Sequence, residues 1–212
     1  MNRIEYVLPE EIEKRSFEII GDELKHRGIS ISPDKEFLVK RVIHTTADFD
    51  YASSLRFSAD AVEKAKALLK SGCTIVTDTN MTLSGISKPA AKKLGVELRC
   101  FMSEENTMKL AKERGETRAS VSMELASKLK GPVIFSVGNA PTALITLRDM
   151  LDKGIYRPAF VIGVPVGFVN VEVAKELIME TDIPHIVNVG RKGGSTVAAA
   201  IINALMYSIV RG

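Results

Sequence analysis

Val133-Ile134-Phe135-Ser136-Val137-Gly138-Asn139-Ala140-Pro141 is the stretch that decides how this chain folds. Its first half is a short, nearly continuous apolar run rich in β-branched residues, which reads as a strand buried on both faces. Its second half is a glycine turn followed by a proline, a residue suited to the first turn of a helix. Working outward, similar β-rich runs stand at 73–77, 97–101, 159–164 and 186–189. Helical patterns fall between and after them, near 90–94, 118–130, 141–153, 171–180 and 195–210. That alternation predicts an α/β domain with a parallel sheet of about five strands and helices on both faces. No linker or low-complexity segment divides the chain, so residues 1–212 read as a single domain.

Upstream of the alternation the chain reads as helices. Pro9 and Glu10, Glu11 and Glu13 suit the positive end of one, and Lys25, His26 and Arg27 suit its other end, before Gly28. Ser32-Pro33-Asp34 starts a second, with Phe37, Leu38, Val42 and Ile43 as its apolar side and His44 near its end. Ser58 is placed as the cap of a third, running from Ala59 to Lys70. Residues 103–117 form the longest irregular zone, rich in Glu, Lys and Arg, and suit a lid or an exposed helix.

The bulk numbers narrow the function classes. A formal charge of +3 is too mild to argue for nucleic acid, and with no tryptophan there is little to build a base-stacking platform. The two cysteines, Cys73 and Cys100, have no neighbours at metal-ligand spacing and read as small core residues. No second carboxylate or histidine stands at matching spacing from Asp78, so no protein metal site is expected. The N-terminus lacks the apolar core of a signal peptide, and no uncharged apolar stretch reaches the roughly 18 residues of a membrane span. These features predict a cytoplasmic protein with no membrane partner.

In an open parallel sheet, ligands bind beyond the carboxyl ends of the strands. The residues there are Asp78-Thr79-Asn80-Met81, Met102-Ser103, Gly138-Asn139-Ala140-Pro141, Val164-Pro165-Val166-Gly167-Phe168 and Gly190-Arg191-Lys192-Gly193-Gly194-Ser195. Glycine lets backbone approach a ligand, and the helix N-termini that follow favour an anion. The last loop fails the Walker pattern, and no G-x-G-x-x-G follows the first strand. Taken singly each loop is an ordinary βα turn; together, with Arg191 and Lys192 in one of them, they describe a pocket for something anionic. Arg118 opens a predicted helix, where a cation opposes the dipole. A salt bridge to Glu116 is one account of it, and holding a substrate carboxylate is the other. His44 divides similarly between a helix-end histidine favoured by the dipole and a proton donor to a bound molecule. His185 reads as structural and His26 as a solvated helix end.

Several segments together resemble one family. They are Arg15-Ser16-Phe17-Glu18-Ile19-Ile20, Arg41-Val42-Ile43-His44, Thr117-Arg118, Gly138-Asn139-Ala140-Pro141-Thr142-Ala143-Leu144, Gly163-Val164-Pro165-Val166-Gly167-Phe168-Val169 and Gly190-Arg191-Lys192-Gly193-Gly194-Ser195. Their order and spacing are similar to those of the precorrin-8X methylmutases, also called cobalt-precorrin-8 methylmutases, over nearly the whole chain. The resemblance implies a single flavodoxin-like three-layer α/β/α domain, usually a homodimer, acting late in vitamin B12 synthesis. It implies an isomerase that moves a methyl group from carbon 11 to carbon 12 of the macrocycle, giving hydrogenobyrinate, or cobyrinate when cobalt is present. The family's catalytic histidine falls on His44, and its substrate-binding serine and arginines on Ser16, Arg41 and Arg118.

The chemistry of the residues agrees with that expectation. An intramolecular sigmatropic shift needs no nucleophile or redox cofactor; it needs a fixed geometry and a proton placed on the π-system. No cofactor is therefore expected. The corrinoid partner carries many carboxylates around an apolar ring. Arg15, Arg41, Lys88, Arg118, Arg191 and Lys192 are candidates for its rim, each charge-assisted bond contributing about 1.5–3 kcal/mol. Met81, Val166 and Phe168 are candidates for its face, and Asn139 joins the binding set. The competing readings are a doubly wound enzyme acting on a nucleotide or another phosphate ester, and a tetrapyrrole carrier that needs the rim but not His44. The apolar run 197–206 predicts that the last helix packs in the core or at a dimer interface.

Overall fold

Alternation along each strand divides the interior into two cores, one on each face of a single sheet. The computed structural model describes residue 4 and residues 6–211; residues 1–3 and 5, part of the stretch read for a signal peptide, and residue 212 lie outside the described residues. The strands are β1 (Leu55–Phe57), β2 (Thr74–Thr77), β3 (Glu97–Arg99), β4 (Val133–Val137), β5 (Phe160–Gly163) and β6 (His185–Asn188). The helices are α1 (Ile12–His26), α2 (Pro33–Thr46), α3 (Tyr51–Ser54), α4 (Ala61–Lys70), α5 (Asn80–Gly85), α6 (Lys88–Leu94), α7 (Glu105–Arg114), α8 (Arg118–Ala126), α9 (Pro141–Asp152), α10 (Val171–Met179) and α11 (Ser195–Val210), with a 3-10 turn at Pro9–Glu11 leading into α1.

Ile75, Ile134, Ile162 and Ile186 point into the core shared with α1, α2, α4, α6 and α11. Val76, Phe135, Val161 and Val187, each adjacent to one of these isoleucines, point into the core shared with α8, α9 and α10. A period of two puts successive side chains on opposite faces, so strands covered by helices on both sides are buried at every position and largely apolar. That is the three-layer α/β/α arrangement. α11 lies in the first core, with Val197–Met206 almost wholly buried against α2, α4, α5 and α6.

The sheet order is β1-β6-β5-β4-β2-β3, parallel throughout except for β1 on β6. The five parallel strands alone, renumbered along the chain, run 2-1-3-4-5, the flavodoxin-like order. The chain leaves β2 toward β3 and then returns to β4 on the other side, which makes the carboxyl ends of β2 and β4 the switch point.

The five expected parallel strands are present, and a sixth, antiparallel strand, β1, joins them at the edge. β1 has three residues, too few to show a pattern, and it exists through its pairing of Leu55 with Asn188 and Phe57 with Ile186. Ser58 departs from its expected role. α4 starts later than predicted, after Asp60 in a left-handed conformation, and the Ser58 hydroxyl accepts from the His185 amide at 2.8 Å. The irregular zone 103–117 contains α7, ended by Gly115 at φ 66°.

Candidate functional site at the carboxyl edge of the sheet

Asp78 ends β2 and is fully buried at the switch point. One carboxylate oxygen accepts from the Gly138 amide at 2.9 Å, and the other from the Asn139 and Ala140 amides at 2.7 and 2.7 Å. Burial pushes the Asp78 carboxyl upward in pKa, and the three amides pull against it. Asp78 thus folds the loop after β4 onto the end of β2. The same loop touches the start of α11: a Cβ on Gly138 would lie 2.8 Å from Ser195 Cα, so only glycine fits.

Further bonds gather the remaining loops. Thr79 Oγ1 lies 2.8 Å from Ser195 Oγ, and Asn80 donates to Ser103 Oγ at 2.7 Å. The Gly194 amide donates to Val164 O at 2.9 Å, joining the loops after β5 and β6. Thr117 donates to Thr142 Oγ1 at 3.2 Å, which brings the start of α8, and so Arg118, to the same edge. The end of α2 is attached too, because Lys192 Nζ donates to Asp48 at 2.6 Å and to Asp50 at 2.7 Å. Lys192 holds the Asp48 carboxyl below the usual carboxylate range, and the two carboxylates hold the Lys192 ammonium above its own.

His44 lies in the last turn of α2, exposed, with the edge of its ring against Phe17 at a centroid distance of 5.5 Å and 87° between planes. Its ring nitrogens make no hydrogen bond among the described residues. The hydroxyls that follow it are spent locally: Thr45 donates to Arg41 O and Thr46 to Val42 O, each at 2.9 Å. Arg41 is already engaged, donating to Glu13 at 2.6 Å and lying over the rings of Phe17 and Tyr207 at 4.7 and 5.4 Å. Ser16, one residue before Phe17, donates to Ile12 O at 2.8 Å. Arg15 lies 3.5 Å from Glu18.

On the far side of the edge, Asn139 and Phe168 are exposed, and Arg191 sits 5.5 Å above the Phe168 ring while pairing with Glu172 at 3.1 Å. Phe168 is 82% exposed and Met81 68%, with Val166 and Val169 beside them, an apolar surface that folding leaves open. Arg118 is exposed and forms no ion pair among the described residues, and Glu116, its expected partner, stands 3.8 Å from Arg114 instead. Lys88 lies apart from this group. Its ammonium donates to Leu83 O and, at 3.1 Å, to Ile86 O, and burial lowers its pKa. His185 is buried, its Nδ1 2.8 Å from Ile183 O, and serves the fold.

Two cavities border the His44 side. One, of about 710 Å³, runs along α1 past Glu13 and Phe17; the other, of about 280 Å³, is lined by Arg41, Thr45, Gly85, Thr196 and Tyr207. Among the described residues no group of three or more His, Cys, Asp or Glu side chains is placed to hold a metal ion. No described helix is long and apolar enough to cross a membrane.

Sequence reasoning missed Lys175, which is fully buried and donates to Gly190 O at 2.6 Å and Lys192 O at 2.8 Å. The signal was present: Val171, Ala174 and Ile178 form the buried stripe of α10, and Lys175 falls within it.

The fold and this edge define a doubly wound α/β protein whose strand-end loops carry an exposed apolar surface, with Arg118 at the start of α8 free of ion pairs among the described residues and an unbonded imidazole, His44, at the end of α2. Residues 11–208 match the family model CbiC, precorrin-8X methylmutase, and the chain belongs to that family. The cobalt-precorrin-8 methylmutase of Salmonella typhimurium is 44% identical, over 95% of this chain and 96% of that protein. The precorrin-8X methylmutase of Pseudomonas aeruginosa is 38% identical, over 92% of this chain and 93% of that protein. A crystal structure of precorrin-8X methyl mutase from Thermus thermophilus superimposes with a TM-score of 0.86 at 36% identity, covering 95% of this chain and 98% of that one. The relatives are named as methylmutases, that is, isomerases, and the chain is an enzyme of that class.

Proposed function

We propose that the chain moves a methyl group from carbon 11 to carbon 12 of precorrin-8 or its cobalt form, giving hydrogenobyrinate or cobyrinate, with His44 as the proton donor. The observation that carries this reading is the state of His44. Its ring packs against Phe17, its nitrogens have no partner among the described residues, and the helix that carries it is followed by Asp48 and Asp50, which bind Lys192 of the loop after β6. A histidine serving only the fold is expected to look like His185, buried and hydrogen-bonded. A proton held at a pyrrole-type nitrogen biases the π-system, and the shift then proceeds within the macrocycle. Arg118 and Arg191 receive peripheral carboxylates, Asn139 adds a donor, and Met81 and Phe168 lie against the ring. Ser16, Arg15 and Arg41 border His44 through α1 and α2; Arg41 binds substrate with the guanidinium nitrogens that Glu13 leaves free.

The working unit is a cytoplasmic homodimer, the second copy covering apolar residues that one chain leaves exposed. The metal-free and cobalt-bearing substrates share this edge, and the relatives carry both names. Incubating the protein with each form and following the visible spectrum separates them. Replacing His44 with Ala is expected to lower kcat at least about 100-fold, in line with a lost general acid, while product binding survives. Turnover at the wild-type rate would remove His44 from the mechanism; binding without turnover in the wild type would make the protein a carrier.

A further inference from the structure

Beneath the loop after β6 lies a charge that the proposed reaction does not itself call for. Lys175 is fully buried, and its hydrogen-bond partners are the carbonyls of Gly190 and Lys192, with no carboxylate among them. Glu172, the acidic residue that influences it, is paired with Arg191 at 3.1 Å. Lys192 O also accepts from Asn188 Nδ2 at 2.9 Å, and Asn188 Oδ1 accepts from Ser54 at 2.6 Å, so the loop is drawn inward from two directions. A buried ammonium without an anionic partner is unfavourable, and an amide such as Asn188 satisfies a carbonyl at lower cost.

The peptide geometry supplies a reason. In a trans peptide the carbonyl of one residue and the N–H of the next point in opposite directions. With Gly190 O and Lys192 O turned toward Lys175, the amides of Arg191 and Gly193 point away from it, toward the edge. Neither amide has an acceptor among the described residues. A Cβ on Gly193 would lie 2.2 Å from Val164 O, so this position takes no side chain without displacing backbone. Two outward amides, the Arg191 guanidinium above and an ammonium below make a receptor for one carboxylate.

We propose that Lys175 is a positioning residue that turns the amides of Arg191 and Gly193 outward to bind a peripheral carboxylate of the substrate. The inference rests on the corrinoid reading above and adds to it a residue that does not touch the ligand. Burial lowers the Lys175 pKa to about 8, consistent with a charge whose balancing anion arrives with the ligand.

Amide NMR of the wild-type protein titrated with hydrogenobyrinate, and steady-state kinetics of Lys175→Met, test this. The Arg191 and Gly193 amide signals are expected to shift and gain exchange protection on binding. The variant is expected to raise KM at least about tenfold while kcat falls less than about threefold, the pattern of lost uniform binding. An unchanged KM, a loss confined to kcat, or wild-type amides that ignore the product overturns the proposal while leaving the methylmutase reading intact. A wild-type protein that neither binds nor converts the corrinoid defeats both. If Lys175→Met does not fold, the wild-type amide signals alone decide.

Discussion

At the scale of single residues, the edge is built by groups whose hydrogen bonds are made within the protein. Asp78 is one of them: it accepts three amide hydrogen bonds inside the protein. Asp78→Ala strands those donors, and a loss of about 3 kcal/mol is expected from urea unfolding; a loss below about 1 kcal/mol would show that water replaces the carboxylate. Gly193 is held by contact with Val164 O and Pro165 O, where a Cβ would come within 2.2 and 2.7 Å. Gly193→Ala must therefore displace backbone, and weaker product binding is expected with the melting temperature reduced only modestly. Unaltered affinity would show that the loop tolerates the shift. The place of His44 at a helix end was legible in the sequence. The roles of Asp78 and Lys175 were not, because they depend on carbonyls and amides far along the chain that no local pattern announces.

At the scale of elements, an ion-paired tie joins the chain just beyond α2, the helix that carries His44, to the loop after β6. Lys192 bonds both Asp48 and Asp50, just beyond the left-handed residue Ala47 that ends α2. Asp48 has a depressed folded pKa, so its contribution is present above its unfolded value of about 4 and is lost as pH falls through the folded value. Lys192 has a raised folded pKa, so its contribution is complete below its unfolded value of about 10.4 and is lost as pH rises through the folded value. The tie therefore stabilises between these limits. Calorimetry of Asp48→Asn is expected to show a lower melting temperature than wild type at pH 7, with the gap closing as pH falls below the unfolded value of about 4 and through the depressed folded one. A gap that persists in acid would mean that Asp48 acts through something other than its charge. The aspartates after His44 stand out in the sequence, and their partner, more than a hundred residues away, is supplied by the fold.

At the scale of the whole molecule, apolar surface remains outside both cores: Phe168, Val169 and Met81 at the edge, and Leu8, Ile12 and Ile19 near the N-terminus. A second copy covering part of it predicts sedimentation at twice the 23.1 kDa chain mass; a monomer at micromolar concentration would defeat the dimer. The sequence by itself determined the α/β class, the parallel strands β2 to β6, the burial of α11 and the family, because these depend on local period and on ordered motifs. It also placed His44 near the end of a helix, where α2 has it. Only the tertiary structure decided that β1 joins the sheet, that Glu13 engages Arg41 and that Lys88 caps α5. The same holds for the buried Lys175 beneath the last loop. The reason is physical: periodicity records which face of an element is buried, whereas a hydrogen bond or ion pair between distant segments exists only once packing has brought them together.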